Sequence, residues 1–360
     1  MPDWMPLLDI SDWSERLARQ DAFWERKVLD RPVVQIVVQN GPVVPPVSRH
    51  ATLHAARMDP TYQAELALAM VESRSYYGDA LPIARPDLGP AALGAVLGCE
   101  VEVNEETCWT VPYLKEWSDK QHVGMADANV YYQALWNITR EMLRIGRGRF
   151  ITGSSSFHPG ADAVAALRGS EQLSIDLMDN PREVESLLPT IHDAYMRVFV
   201  EFAEFLEAAG QPTTSFVEIV STKRYHVAAD DFSCMISAAM FRNMFLPGIV
   251  KRIRSFDASI YHLDGPGALR HLDALLEIPE LDAVQWIPGA ANGSASDWLD
   301  VYERVQNADK GVQVILRLDE LDTVLKNVQP EGAWLWIENV PNETAALEAL
   351  KEIESWGNRS

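Results

Sequence analysis

The sequence predicts a single (β/α)8 barrel, and three observations carry that reading. Eight short runs rich in β-branched and aromatic residues recur along the 360 residues. Longer stretches of helical period separate them, and no repeat, low-complexity tract or Gly/Ser linker divides the chain. Alternation of this kind belongs to parallel βα units, and eight units close most naturally within one domain, here residues 1–360.

A helical N-terminal extension precedes the first run, Pro32 to Asn40, which reads VVQIVVQ at its centre. The second, Ala80 to Arg85, is short; the third is Arg149 to Ser156 and the fourth Thr213 to Ser221. The last four are Ser259 to Gly265, Ala283 to Gly289, Val312 to Leu318 and Ala333 to Asn339. Between them, Asp59 to Tyr77 and Pro181 to Ala209 are expected as helices because each starts at an Asp-Pro or Asn-Pro pair, and Ser237 to Phe256 starts at a serine cap. Asp87 to Gly148 is too long for one loop, so an insertion after the second strand is expected, with its own helices including Tyr131 to Gly146.

Composition narrows the function. Lys plus Arg number 31 against 52 Asp plus Glu, a net charge of −21, which argues against nucleic acid or an anionic membrane as partner. The three cysteines, Cys99, Cys108 and Cys234, are too few and scattered for a disulfide framework or a CxxC zinc module, so a reducing, cytoplasmic setting is expected. The amino-terminal stretch lacks the basic-then-apolar order of a secretory leader. No apolar run reaches bilayer-spanning length, and the richest, Ala64 to Met70, is broken by Glu65. Gly41, Gly89, Gly94 and Gly98 form neither GxGxxG nor a phosphate loop, so no nucleotide cofactor is expected. A homodimer is compatible with all of this.

In a barrel the active site lies at the carboxyl ends of the strands. Polar groups gather there: Glu218 on the fourth strand, with Lys223, Arg224 and His226 beyond it, then His262 and Asp264 on the fifth, Gln285 and Trp286 on the sixth, Arg317 on the seventh and Glu338 on the eighth. His262 and Asp264 are two residues apart on one strand and so share a face. Asp264 could equally cap the Asp-Gly-Pro-Gly turn, but Glu338 at the end of Trp-Leu-Trp-Ile is costly to bury unless paired, metal-bound or facing a cavity. Asp231 is either a helix cap or a catalytic carboxylate, and His158 in Ser-Phe-His-Pro-Gly either a ligand contact or part of a turn. Cys234, among Phe232, Met235 and Ile236, reads as a small buried hydrophobe. Lys223, Arg224 and Arg317 suit a substrate carboxylate or a surface ion pair, and Trp109, Trp286 and Trp336 would give a pocket aromatic walls.

These residues resemble the uroporphyrinogen decarboxylase superfamily, which also contains zinc-dependent corrinoid methyltransferases. The carriers are Thr152-Gly-Ser-Ser, Pro181-Arg-Glu-Val, Asp231-Phe-Ser-Cys-Met-Ile-Ser237 with Met240-Phe241 and Phe245-Leu-Pro247, Tyr261-His-Leu-Asp-Gly265, Gln285-Trp-Ile-Pro-Gly289 and Glu338-Asn-Val-Pro. The resemblance runs from about the first strand to the end and implies a (β/α)8 barrel. Decarboxylases of the family carry Arg-Gln-Ala-Gly-Arg after the first strand to hold porphyrinogen carboxylates, whereas the matching stretch here reads Val38-Gln-Asn-Gly-Pro-Val, which argues against haem-pathway decarboxylation.

In the methyltransferase branch a His-x-Cys and a later cysteine bind zinc, and the matching positions here are His262, Asp264 and Glu338. The resemblance therefore implies a metal site of one histidine and two carboxylates, for zinc or, with such hard donors, iron or manganese. Three functions follow. The leading one is a metal-assisted methyltransferase moving a methyl group from a small substrate to a corrinoid, carried on a separate partner protein, or to a thiol. The second is a metal-free lyase or decarboxylase in which Asp264 or Asp231 places a proton. The third is a catalytically idle binding barrel. The expected catalytic residues are Asp231, His262 and Asp264, and the expected substrate contacts His158, Glu218, Lys223, His226, Trp286 and Arg317.

Overall fold

Strand-forming runs bounded by turns lay down a mostly parallel sheet, described in a computed structural model for residues 7, 9–89, 92–105 and 107–357. Residues 1–6 and 8 of the amino-terminal stretch read above for a leader lie outside these residues. In chain order the strands are β1 (Val33–Gln39), β2 (Arg74–Gly78), β3 (Ile83–Ala84), β4 (Glu100–Val103), β5 (Cys108–Val111), β6 (Ile151–Thr152), β7 (Thr213–Thr214), β8 (Val220–Ser221), β9 (Tyr225–Ala229), β10 (Ala258–Asp264), β11 (Ala283–Ile287), β12 (Gly311–Arg317) and β13 (Ala333–Glu338). Seven form one sheet in the order β2-β1-β13-β12-β11-β10-β9, parallel except for β2. β3 and β6 pair with each other in parallel, outside that ladder. Among the described residues the ladder does not close into a ring. Beside β6, Thr152 N donates to Gln211 Oε1 (2.9 Å) and Ser154 N to the Thr214 carbonyl (3.2 Å). Gly153 permits this approach, because a Cβ there would sit 2.8 Å from Thr214 Cγ2.

Two expectations are corrected. The fourth strand is Tyr225–Ala229, not Thr213–Ser221; the latter splits into β7 and β8, which pair antiparallel with each other. The chain turns between them at Glu218, whose φ of 60° lies in the left-handed region that side chains with a Cβ seldom occupy. Val217 and Ile219, the β-branched residues that suggested a strand, instead join a buried cluster with Val33, Tyr225, Ile260 and Trp334. The helix expected over Asp59 to Tyr77 ends at Glu72, and Arg74–Gly78 continues as β2 against β1. The insertion holds the hairpin β4–β5 besides its helices.

The remaining helices follow their caps. Asp59 Oδ1 accepts from Tyr62 N (2.7 Å) ahead of Pro60–Glu72, and Asn129 Oδ1 accepts from Tyr131 N and Tyr132 N (both 3.0 Å) ahead of Val130–Ile145. Pro181–Ala208 is one long helix. Among the described residues no helix is long and apolar enough to cross a membrane.

Alternation along the strands separates two faces. Val33, Val227, Ala258, Ile260, Ala283 and Trp334 pack inward with Phe23 and Trp24, while Val34, Ile36, Leu263, Trp286, Leu335 and Ile337 pack outward among the helices. The inward row of β10 therefore ends in His262 and Asp264, and that of β11 includes Gln285.

Candidate functional site

Register brings the site together. Ala229 of β9 stands opposite His262 of β10, so the inward position two residues on, Asp231, reaches the level of Asp264. Asp231 opens the turn Asp231–Met235, and Asp162 fixes that turn by accepting from Asp231 N (2.9 Å) and Phe232 N (2.7 Å). Two overlapping groups result, Asp231 with His262 and Asp264, and His158 with Asp162 and Asp231; within each, one ligand atom per residue lies within 4.8 Å of the others.

Asp231 faces both ways. Its Oδ1 is 3.9 Å from His262 Nε2 and its Oδ2 is 3.5 Å from His158 Nδ1, which is also 3.6 Å from Asp162 Oδ2. Burial opposes charge on His158, yet Asp162 and Asp231 outweigh it and raise its pKa to about 10. Burial would raise the Asp231 carboxyl, but His158 and His262 bring it below its ordinary value. Asp264 is pushed up by burial, with His262 opposing and Asp231 and Asp162 adding repulsion.

A row of amides orients His262. Gln285 Nε2 donates to Gln313 Oε1, so Gln285 presents its Oε1 to His262, and His262 Nδ1 donates to it. That bond leaves Nε2 as the ring nitrogen facing Asp231, the arrangement that a hydrogen-bond acceptor on the other nitrogen imposes on a metal-binding histidine.

The other expected residues lie elsewhere. Glu338 ends β13 exposed, opposite Arg317, and belongs to neither ligand group. Arg317 is exposed and occupied by Asp319 (3.2 Å) and Glu320 (3.8 Å). Lys223 precedes β9, so it sits at the amino end of the strands, 3.3 Å from Glu25. His226 points outward and is fully buried, with Nδ1 2.7 Å from the Tyr195 hydroxyl; burial, Arg252 and His192 lower its pKa well below the usual value. Trp286 is also outward and buried, edge-on to Trp298 with centroids 5.1 Å apart. The Glu218 carbonyl accepts from Gln35 Nε2 (2.9 Å), and burial pushes its carboxyl up against the pull of Arg85 and Arg74. Cys234 is half-buried, and burial raises its thiol pKa.

Sequence reasoning passed over Asp162, Gln313 and Phe216. Phe216 is the aromatic wall of the site, its ring centroid 5.5 Å from that of His158 and 5.3 Å from that of His262. Asp162 had one available signal, its place in the first turn of the helix Ala161–Arg168 four residues after His158. Two cavities open on the cluster. One of about 390 Å³ runs past His158, Asp162 and Asp231 to Trp109, and one of about 320 Å³ touches His158, Asp231 and His262.

No family model and no curated protein matches the chain. Among solved structures it is similar to a methyltransferase from Methanosarcina mazei, with 15% sequence identity, 94% of this chain and 98% of that chain covered, and a TM-score of 0.61. At that identity the likeness is one of fold: an α/β chain built around a mostly parallel sheet.

Proposed function

We propose that the chain is a metal-assisted, methyltransferase-like enzyme, with a divalent cation held by Asp231, His262 and Asp264 and the ladder completed by β3 and β6 into a (β/α)8 barrel. The observation that carries this reading is the orientation of His262, whose Nδ1 is engaged by Gln285 while Nε2 faces a carboxylate oxygen, Asp231 Oδ1, that is buried without a hydrogen-bond partner. A histidine with two carboxylates suits zinc, iron or manganese. That the solved neighbour is a methyltransferase supports a methyl group as the transferred unit. Zinc bound there would act as a Lewis acid on a substrate heteroatom.

The chain's own residues would do the rest. Asp162 holds the Asp231 turn in place, Phe216 walls the cavity beside both histidines, and His158 holds a proton next to Asp231. The acceptor would be a corrinoid on a separate protein, or a thiol. Incubating metal-replete protein with cob(I)alamin and methylated amines, ethers or thioethers should yield methylcobalamin from one donor class, with the yield lost in Asp231→Asn. Absence of transfer from every class to both cob(I)alamin and a thiol would contradict the reading.

A second reading is proton transfer by the His158–Asp231 pair without a cation, favoured by the raised pKa of His158. Stoichiometric metal in the purified protein separates the two.

A further inference from the structure

The 320 Å³ cavity is lined by unlike groups: His158, Asp231 and His262, and with them Arg57, Arg85 and Asp87. In a chain of net charge −21 most cations at the site would be expected to be neutralised. Arg57 is, by Asp87 at 3.5 Å. Arg85 is not: its Nη1 donates to Ser156 Oγ at 3.2 Å, and among the described residues no carboxylate lies within ion-pairing distance of it. Glu218 feels its field from farther away, yet remains pushed up by burial. Arg85 follows β3 and is half-buried, so its guanidinium is held at the cavity with donors to spare.

A planar guanidinium with free donors matches a carboxylate, which it can grip through two parallel hydrogen bonds. Partial burial strengthens such a contact relative to one at an open surface. We propose that Arg85, with Arg57 beside it, binds the carboxylate of a small substrate whose other end reaches the Asp231–His262–Asp264 cluster. The substrate class is thus a small organic carboxylate bearing its reacting heteroatom away from the acid group, with Phe216 packing against the carbon skeleton between them. This role was expected of Lys223, Arg224 and Arg317; the first two precede β9 at the opposite end of the strands, paired with Glu25 and Glu207, and the third is neutralised by Asp319 and Glu320.

The assignment of the reacting end rests on the proposed metal cluster, but carboxylate binding at Arg85 does not. The test titrates metal-replete protein with acetate, benzoate and glutarate by calorimetry, using benzyl alcohol as the neutral control, and measures metal content in the same samples. At least one carboxylate should bind saturably while benzyl alcohol does not, with affinity at least tenfold weaker in Arg85→Gln and partly restored in Arg85→Lys, at unchanged metal content and thermal midpoint. Should Arg85→Gln fail to fold, protection of Arg85 in the wild-type protein from phenylglyoxal by the bound carboxylate gives the same answer. Equal affinity in wild type and Arg85→Gln, absence of saturable binding by all three carboxylates, or unprotected Arg85 would overturn the proposal. Metal-free protein that still binds carboxylate through Arg85 would sink the cluster reading and leave this one standing; metal-loaded protein that binds no carboxylate would do the reverse.

Discussion

Gln285 decides which nitrogen of His262 faces the cluster, and it does so because its own amide is turned by Gln313. Removing that acceptor frees the imidazole to rotate or to change tautomer. Gln285→Leu should therefore weaken divalent-metal affinity by about 10–100-fold, measured by competition with a chelator, and Gln285→Glu should recover most of the loss. Unchanged affinity in the leucine variant would mean that His262 is no ligand. At this scale the sequence was partly legible: parity alone placed His262 and Asp264 on one inward face. Of Asp162 only its spacing from His158 was legible, because its role is to accept two backbone N–H groups from residues 69 and 70 positions away. That Asp231 rather than Glu338 lies beside His262 has a simple cause. β9 is the immediate neighbour of β10, whereas β13 is three strands removed in the sheet, roughly 14 Å at a strand spacing of about 4.8 Å.

Strands bounded by clear turns were read correctly: β1, β11 and β13 fall within the runs picked out by their β-branched and aromatic residues, and β10 and β12 start one residue ahead of theirs. β9 escaped because Tyr225–Ala229 follows Ser-Thr-Lys-Arg, a polar stretch that reads as loop, while the more β-branched Thr213–Ser221 drew the assignment. His226 then belongs to the outward face of β9, and its chemistry becomes that of a buried neutral histidine. Its folded pKa is lowered, as is that of buried His271, so below about 6.5 the unfolded chain takes up protons that the folded chain refuses. These two histidines should accordingly make stability fall as the pH drops below about 6.5, while His158, whose folded pKa is raised to about 10, makes it fall as the pH rises from about 6.5 toward 10. His226→Leu should cost about 1–3 kcal/mol at neutral pH by leaving the buried Tyr195 hydroxyl unpaired, and should flatten part of that slope in chemical denaturation between pH 5 and 7. An unaltered slope would show that His226 does not titrate as described. Trp286 gives the complementary check on faces: Trp286→Ala should lose about 3–5 kcal/mol of stability and keep its metal affinity, since the indole packs against Trp298 behind the sheet.

Across the whole molecule, an acidic chain concentrates one histidine and two carboxylates at the carboxyl end of a parallel sheet and lines a small cavity there with Asp231, His262 and two arginines. The alternation of strands and helices made the sheet legible. The connections after β6 and β7 were not, and they supply Asp162 and Phe216, while Arg85 ends the short second run. The central claim is that Asp231, His262 and Asp264 form a metal site while Glu338 stands outside it. The most direct measurement is elemental analysis of protein prepared without chelator, wild type beside Asp231→Asn, His262→Ala and Glu338→Ala, all shown to be folded. The account predicts one equivalent of zinc, iron or manganese in wild type and in Glu338→Ala, and loss of it in the other two. Metal-free wild-type protein after titration with all three ions, metal retained in Asp231→Asn, or metal lost in Glu338→Ala would contradict it.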